Sequence, residues 1–172
     1  MTAASTETSY ATVTLTSCGA RVAGPWRARV GLHGLSAHHR EGDGTTPLGT
    51  YRIGPVVYGV AANPGVHLRY HRLACGDWWD EDPSSPAYNT FRHVACGRAP
   101  PFHGEPLWAS PTAYRYLAVV EYNRGRVPGL GSGIFLHVDT GVATHGCVAL
   151  SRADLLHTLR WLRPGAQIRI TA

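Results

Sequence analysis

The stretch that decides the reading is Gly133-Ile134-Phe135-Leu136-His137-Val138-Asp139-Thr140-Gly141-Val142-Ala143-Thr144-His145-Gly146-Cys147-Val148-Ala149-Leu150. Two short apolar runs flank a polar turn. The first ends on a histidine, and the second is entered through a cysteine. Short apolar runs bounded by Gly and turn residues read as strands. The polar chemistry then sits at strand ends, where a rigid frame holds side chains open to a cleft. A thiol and an imidazole brought together there make a nucleophile, Cys147, and its base, His137. Only the thiolate attacks carbonyls well, and an imidazole that takes the proton and stays charged lowers the thiol pKa. A lone cysteine in an apolar run is more often a small buried hydrophobe. What sets Cys147 apart is its lead-in. Gly146 lets the backbone turn sharply, and Thr144, His145 and Gly146 can aim successive amides at one developing oxyanion. His145 is a rival base, closer in sequence. The second ring nitrogen of His137 is expected to be held by a backbone carbonyl or by Asp139.

Outward from this stretch, the 172 residues fit one domain with a real core. Residues 1–10 are small and polar, and read as a flexible leader or a trimmed N-terminus. They lack the basic start and apolar centre of a secretory signal. Apolar content is 44% and charged content 16%, the balance of a globular chain. Net charge is +5, and all 16 basic residues are arginine. They are scattered, so no nucleic-acid partner is expected, because backbone binding needs clustered cations. No run reaches the roughly 18 apolar residues of a membrane span, so no stable membrane insertion is expected.

Ala11–Leu15, Trp26–Val30 and Val66–Tyr70 alternate apolar with polar residues and read as strands. Tyr51–Val60 reads as a strand pair interrupted at Gly54-Pro55. Asp77–Pro86 reads as a loop whose acids are solvated, with Trp78, Trp79, Tyr88 and Phe91 around it as anchors or as a lid. Arg98–Ser110 is loop-like. Tyr114–Tyr122 is a long apolar strand. Ser151 caps a helix, with Asp154 three residues on, and Leu155, Leu156, Leu159 and Leu162 form its apolar face. Gln167–Thr171 closes as a strand. The fold class is mainly β, a sandwich or barrel with one short C-terminal helix.

Four cysteines allow three connectivities. Cys75 and Cys96 bracket the acidic, Pro-rich loop, and a bridge between them would tie its base. Cys18 is then a buried free thiol. No Cys-x-x-Cys occurs, and neither His38-His39 nor His67/His71 finds a third ligand of metal spacing, so neither metal nor cofactor is expected.

The run Thr144-His145-Gly146-Cys147-Val148, with His137 upstream, resembles the signature of the L,D-transpeptidase (YkuD-type) family. Asp43-Gly44-Thr45-Thr46-Pro47-Leu48-Gly49-Thr50-Tyr51 resembles that family's Thr-Pro-x-Gly-x-aromatic segment. Asp80–Asn89 resembles a loop of one actinobacterial-looking branch. Many members carry Arg where this chain has Ala149, and the spacer from His137 to Cys147 is short for the family. The resemblance implies an L,D-transpeptidase-like β fold and acyl transfer on peptidoglycan stem peptides. An L–D bond is cut through a Cys147 thioester, and 3-3 cross-links form. It favours His137 over His145 as base and implies acylation of Cys147 by carbapenem-type β-lactams. Tyr88, Asn89 and Asp139 become candidate substrate contacts. It also favours a secreted, cell-wall protein whose export signal has been trimmed over a cytoplasmic one. Hydrolysis by the same site, as an L,D-carboxypeptidase, and a non-catalytic wall-binding module are the other two readings.

Overall fold

The computed structural model describes residues 1–172. In chain order the strands begin with β1 (Thr2–Ala3), β2 (Tyr10–Ser17), β3 (Ala20–Arg29), β4 (Leu35–Ser36) and β5 (Thr46–Pro47). Next come β6 (Gly49–Gly59), β7 (Arg69–Arg72), β8 (Asp77–Asp80), β9 (Thr90–His93) and β10 (Gly104–Pro106). The last four are β11 (Leu117–Val120), β12 (Phe135–Val138), β13 (Val148–Leu150) and β14 (Gln167–Ile170), with helix α1 (Arg152–Trp161) before β14. The main sheet runs β1-β2-β3-β13-β12-β11-β6-β14, with β7 beside β6. A bridge from Thr2 to Thr171 brings its two ends together, so the sheet is nearly closed, like a barrel. The fold is mainly β, as the short alternating runs imply. No helix is long and apolar enough to cross a membrane.

In the central strands β11 to β13 side chains face one of two cores, because successive residues point to opposite faces. Leu136, Val138, Val148 and Leu150 point inward, to the larger core, which also takes Leu155, Leu159 and Leu162 from the α1 end of the chain. Phe135 and Leu117 point outward, to a second core with Leu73, Trp79, Leu107 and Tyr114. A three-stranded sheet, β10-β8-β9, supplies that outer cover. Strands β11 to β13 are thus buried on both faces, and this is why their sequence is continuously apolar. The helix starts as expected: the Ser151 hydroxyl accepts from the Asp154 amide at 3.2 Å and donates to the Asp154 carboxylate at 2.6 Å.

Four expectations are corrected. Residues 1–10 are not a free leader, since β1 pairs with β2 and Ala3 lies in the inner core. Gly54-Pro55 does not split β6, which runs unbroken for 11 residues with only a register irregularity against β11. Pro has no N–H to give, but Ala118 and Val120 resume pairing on either side of the bulge. Cys18 is exposed, in the tight turn between β2 and β3.

The fourth correction concerns Asp77–Asp80, which is strand β8 and not a solvated loop. Asp77 is 3% exposed and Asp80 fully buried. Asp77 accepts hydrogen bonds from His71 Nε2 and His93 Nδ1, each at 2.8 Å. Burial pushes its carboxyl up, but the bonds from His71 and His93 outweigh that and hold it below the usual range. Asp80 accepts from Ser85 and pairs with Arg92. A Cys75–Cys96 disulfide closes the base of this small sheet, as its bracketing position implies.

Candidate active site

Strands β12 and β13 run parallel, with Leu136 beside Val148 and His137 beside Ala149. Extended back by one residue, this register sets Cys147 level with Phe135. Parallel neighbours share a face, so Cys147, Phe135 and His137 all look toward the outer core. A parallel pair cannot be joined by a tight hairpin. The link from Asp139 to Cys147 therefore carries the chain back along the sheet, and its polar residues are spent on fixing that path.

Thr144 is the main pin. Its amide donates to the Val30 carbonyl at 2.9 Å, and its carbonyl accepts from Leu32 at 2.7 Å. Its hydroxyl donates to the Cys147 carbonyl at 2.7 Å and accepts from the Gly146 amide at 3.2 Å. Thr46, from the distant Thr-Pro segment, donates to the Gly146 carbonyl at 2.8 Å and accepts from Gly31. Gly146 sits at φ +143°, and a Cβ there would lie 3.0 Å from both Ile134 Cδ1 and the Thr45 carbonyl. Only glycine suits that position. The two sequence motifs, a hundred residues apart, are one structural unit.

The thiol accepts from the Phe135 amide at 3.3 Å and donates to the Gly133 carbonyl at 3.3 Å. Burial pushes the Cys147 thiol up to about 12, and the charges of Glu105 and Glu81 add to this against the Phe135 hydrogen bond. His137 is 7% exposed. Burial pulls its pKa below the ordinary histidine value, although the Val138 carbonyl and Asp139 act the other way. Its Nδ1 lies 2.9 Å from the Val138 carbonyl. A carbonyl only accepts, so Nδ1 carries the proton and Nε2 keeps a free lone pair. Burial works against both the thiolate and the imidazolium, because each charged form loses hydration here.

The remaining candidates divide. The Val138 carbonyl, not Asp139, holds the His137 ring. Asp139 instead caps the Gly141 amide at 2.8 Å. His145 is exposed and its ring makes no hydrogen bond to Cys147. Of the three amides expected to face an oxyanion, that of Gly146 is taken by Thr144, while those of His145 and Cys147 have no partner within the protein. Tyr88 and Asn89 are not open substrate contacts. Tyr88 is 1% exposed, donates to the Glu41 carboxylate and accepts from the Gly131 amide at 3.1 Å. Asn89 accepts from Trp79 Nε1 at 3.0 Å and from the Gly133 amide at 3.1 Å, and donates to the carbonyls of Tyr122 and Asn123. They clamp the 131–133 segment whose carbonyl receives the thiol.

Three neighbours of the thiol went unnoticed in the sequence. Tyr114 sets its ring edge-on to His137 at 5.7 Å, and its hydroxyl donates to Glu105, 2.8 Å from each oxygen. Glu81 touches Gly133, where a Cβ would lie 2.8 Å from Oε1. Burial raises the Glu81 carboxyl to about 8, helped by Glu105, Glu41 and Asp80. Burial also raises Glu105. Their signal was weak: Glu81 hides among acids that look solvated, and Glu105 lies inside the Pro-rich segment that reads as a loop.

The molecule is thus a mainly β domain whose thiol and imidazole share one outward sheet face beneath a smaller, disulfide-tied sheet. The model of the YkuD family, described as the L,D-transpeptidase catalytic domain, matches residues 8–170, and the chain belongs to that family. Comparisons with curated proteins and with solved structures found no match.

Proposed function

We propose that the protein is an L,D-transpeptidase that uses Cys147 to transfer peptidoglycan stem peptides, forming 3-3 cross-links. One observation carries the reading. His137 and Cys147 stand on one face of adjacent strands, with Nδ1 held by the Val138 carbonyl and Nε2 left as a base. The Cys147 sulfur attacks the carbonyl of the L–D bond, and its proton passes to His137 Nε2 during the attack. Burial raises the thiol, so His137 acts as a general base in the same step as the attack. The amides of His145 and Cys147 are free to hold the oxyanion. When the carbon–nitrogen bond breaks, His137 returns the proton to the leaving amine. An acceptor amine then attacks the thioester and yields a proton to His137, which re-protonates the departing sulfur.

The same chemistry implies acylation of Cys147 by carbapenem-type β-lactams. The Cys75–Cys96 disulfide and a peptidoglycan substrate both favour a secreted, cell-wall setting. The test is product mass spectrometry with a disaccharide-tetrapeptide, using the parent and Cys147→Ala. Cross-linked dimer from the parent alone is the expected result. Tripeptide with free terminal amino acid would make the enzyme an L,D-carboxypeptidase. Activity retained by Cys147→Ala would overturn the mechanism.

A further inference from the structure

The barrel is closed along only part of its seam. At one end β1 stands between β2 and β14, paired with Ala11 and Thr12 on one side and bridged to Thr171 on the other. β1 is only two residues long, and β2 continues from Val13 to Ser17 with no strand on that side. Across the seam, β14 has β6 as its strand partner. Its other edge is used only near β1: the Met1 nitrogen donates to the Arg169 carbonyl at 2.7 Å, and the Thr171 amide donates to the Met1 carbonyl at 3.1 Å. Alternate residues of an antiparallel strand turn their backbone groups to the same edge. The Arg169 amide and the backbone groups of Gln167 therefore also face the seam, without a partner strand.

Between these two edges lies a cavity of about 970 Å³. Val13 to Ser17 line one side and Gln167 to Arg169 the other, in unbroken runs, as strand edges do. Its floor is Ile53, Leu136 and Leu162, all members of the inner core. The cavity thus opens on the side of β12 opposite the thiol. Its charged lining residues are Arg163 and Arg169, with no Asp or Glu. Arg163 is held at the end of α1, where it donates to the carbonyls of Arg160, Trp161 and Leu162. Arg169 is exposed, between the buried Ile168 and Ile170.

An open strand edge presents a row of unpaired N–H and C=O groups, and strand addition uses such edges. Two edges that face each other across one cavity can pair with both sides of a single added strand. β1 shows the fit, because a strand of this chain already stands between the same two edges. Its Ala3, opposite Ala11, points into the inner core with it. A strand placed further along would set an inward side chain opposite Leu15, over the apolar floor. Its outward side chains would lie beside Thr14, Thr16 and Arg169. The floor selects apolar residues at alternate positions, and the arginines select acids between them. We propose that this seam is a docking site for an extended segment of a partner protein, alternating apolar with acidic residues, which adds as a strand between β2 and β14.

The test uses three fluorescently labelled hexapeptides, titrated by anisotropy into the whole protein at low ionic strength, where charge pairing is least screened. The first is acetyl-Glu-Val-Glu-Val-Glu-Val-amide, the second has Lys in place of Glu, and the third is the Glu peptide N-methylated at every Glu. The Glu peptide should bind saturably and roughly fivefold tighter than the Lys peptide, the upper worth of an exposed ion pair. The N-methylated peptide, which has lost the donors of one edge, should not bind. Hydrogen exchange should slow at Leu15–Ser17 and Gln167–Arg169 when the Glu peptide is bound. Arg169→Glu, an exposed change outside the catalytic machinery, should remove the preference for Glu over Lys. No saturable binding of the Glu peptide would overturn the proposal. So would equal binding of the N-methylated peptide, protection confined to other strands, or a Glu preference that is absent in the parent or unchanged by Arg169→Glu.

Discussion

The two faces of strands β11 to β13 are built from different forces. On the inner face, Leu136, Val138, Val148 and Leu150 meet α1 in a core without charge. On the outer face the cover is half polar. Asp77 is gripped by two histidines, Asp80 by Ser85 and Arg92, and Glu105 by Tyr114. The inner face gains its stability from area, which is non-directional. The outer face depends on hydrogen bonds and charge, which are directional and respond to pH and redox state. The site lies on the second face but hangs from strands held by the first. Damage to the inner face should therefore cost stability, and damage to the outer face should change chemistry.

The largest expected effect is on the outer face. His137→Gln should lower the rate of acylation by 10²–10⁴, the usual worth of a general base, and leave the melting temperature close to that of the parent. Stopped-flow acylation by a carbapenem, with calorimetry alongside, measures both. The inner-face counterpart is Leu155→Ala. Leu155 is fully buried, so truncation should cost about 2–5 kcal/mol in denaturant titration, while the folded fraction keeps its acylation rate. A large rate loss there would break the division.

Next in size is the disulfide. Cys75 and Cys96 are 21 residues apart. Replacing both by Ser should cost about 3 kcal/mol on the chain-entropy account. Because the bridge ties down the sheet that carries Trp79 and Glu81 to the site, acylation should also slow. A cost in stability alone would show that the cover holds its shape without the bridge.

The last effect is the most specific. Glu81 titrates near 8, above its ordinary value near 4.5. The fold favours its protonated form, so its penalty is absent below about pH 4.5, grows as pH rises and is complete above about pH 8. Glu81→Gln should thus match the parent in melting temperature near pH 5 and exceed it near pH 9. With the carboxylate gone, Cys147 should also alkylate faster than in the parent near pH 9. Equal pH slopes would place Glu81 in open solvent.

Much of this was legible in the sequence, and for physical reasons. Period-two alternation exposed the strands, and Ser151 with Asp154 exposed the helix start. The strand ends carrying His137 and Cys147 stood out because a thiol, an imidazole and a glycine turn rarely fall together by accident. What stayed hidden was long-range. Nothing local shows that β12 and β13 run parallel, that Thr46 reaches the Gly146 carbonyl, or that Glu81 leaves solvent while Asp82 stays near it. Asp77 and Asp80 misled because acids next to Pro-rich sequence are usually solvated, and here distant partners supply hydrogen bonds that repay their burial. Tyr88 and Asn89 stood as substrate contacts only through the resemblance of their loop, and nothing local shows that Tyr88 is buried.

The most direct measurement is intact-protein mass spectrometry of a carbapenem reaction near pH 7, with peptide mapping, on the parent, His137→Gln and His145→Ala. The account predicts a single adduct on Cys147 in the parent, formation at least a hundredfold slower in His137→Gln, within the range for a lost general base, and near-parent formation in His145→Ala. An adduct on another residue, or one that forms as fast without His137 as with it, would contradict it.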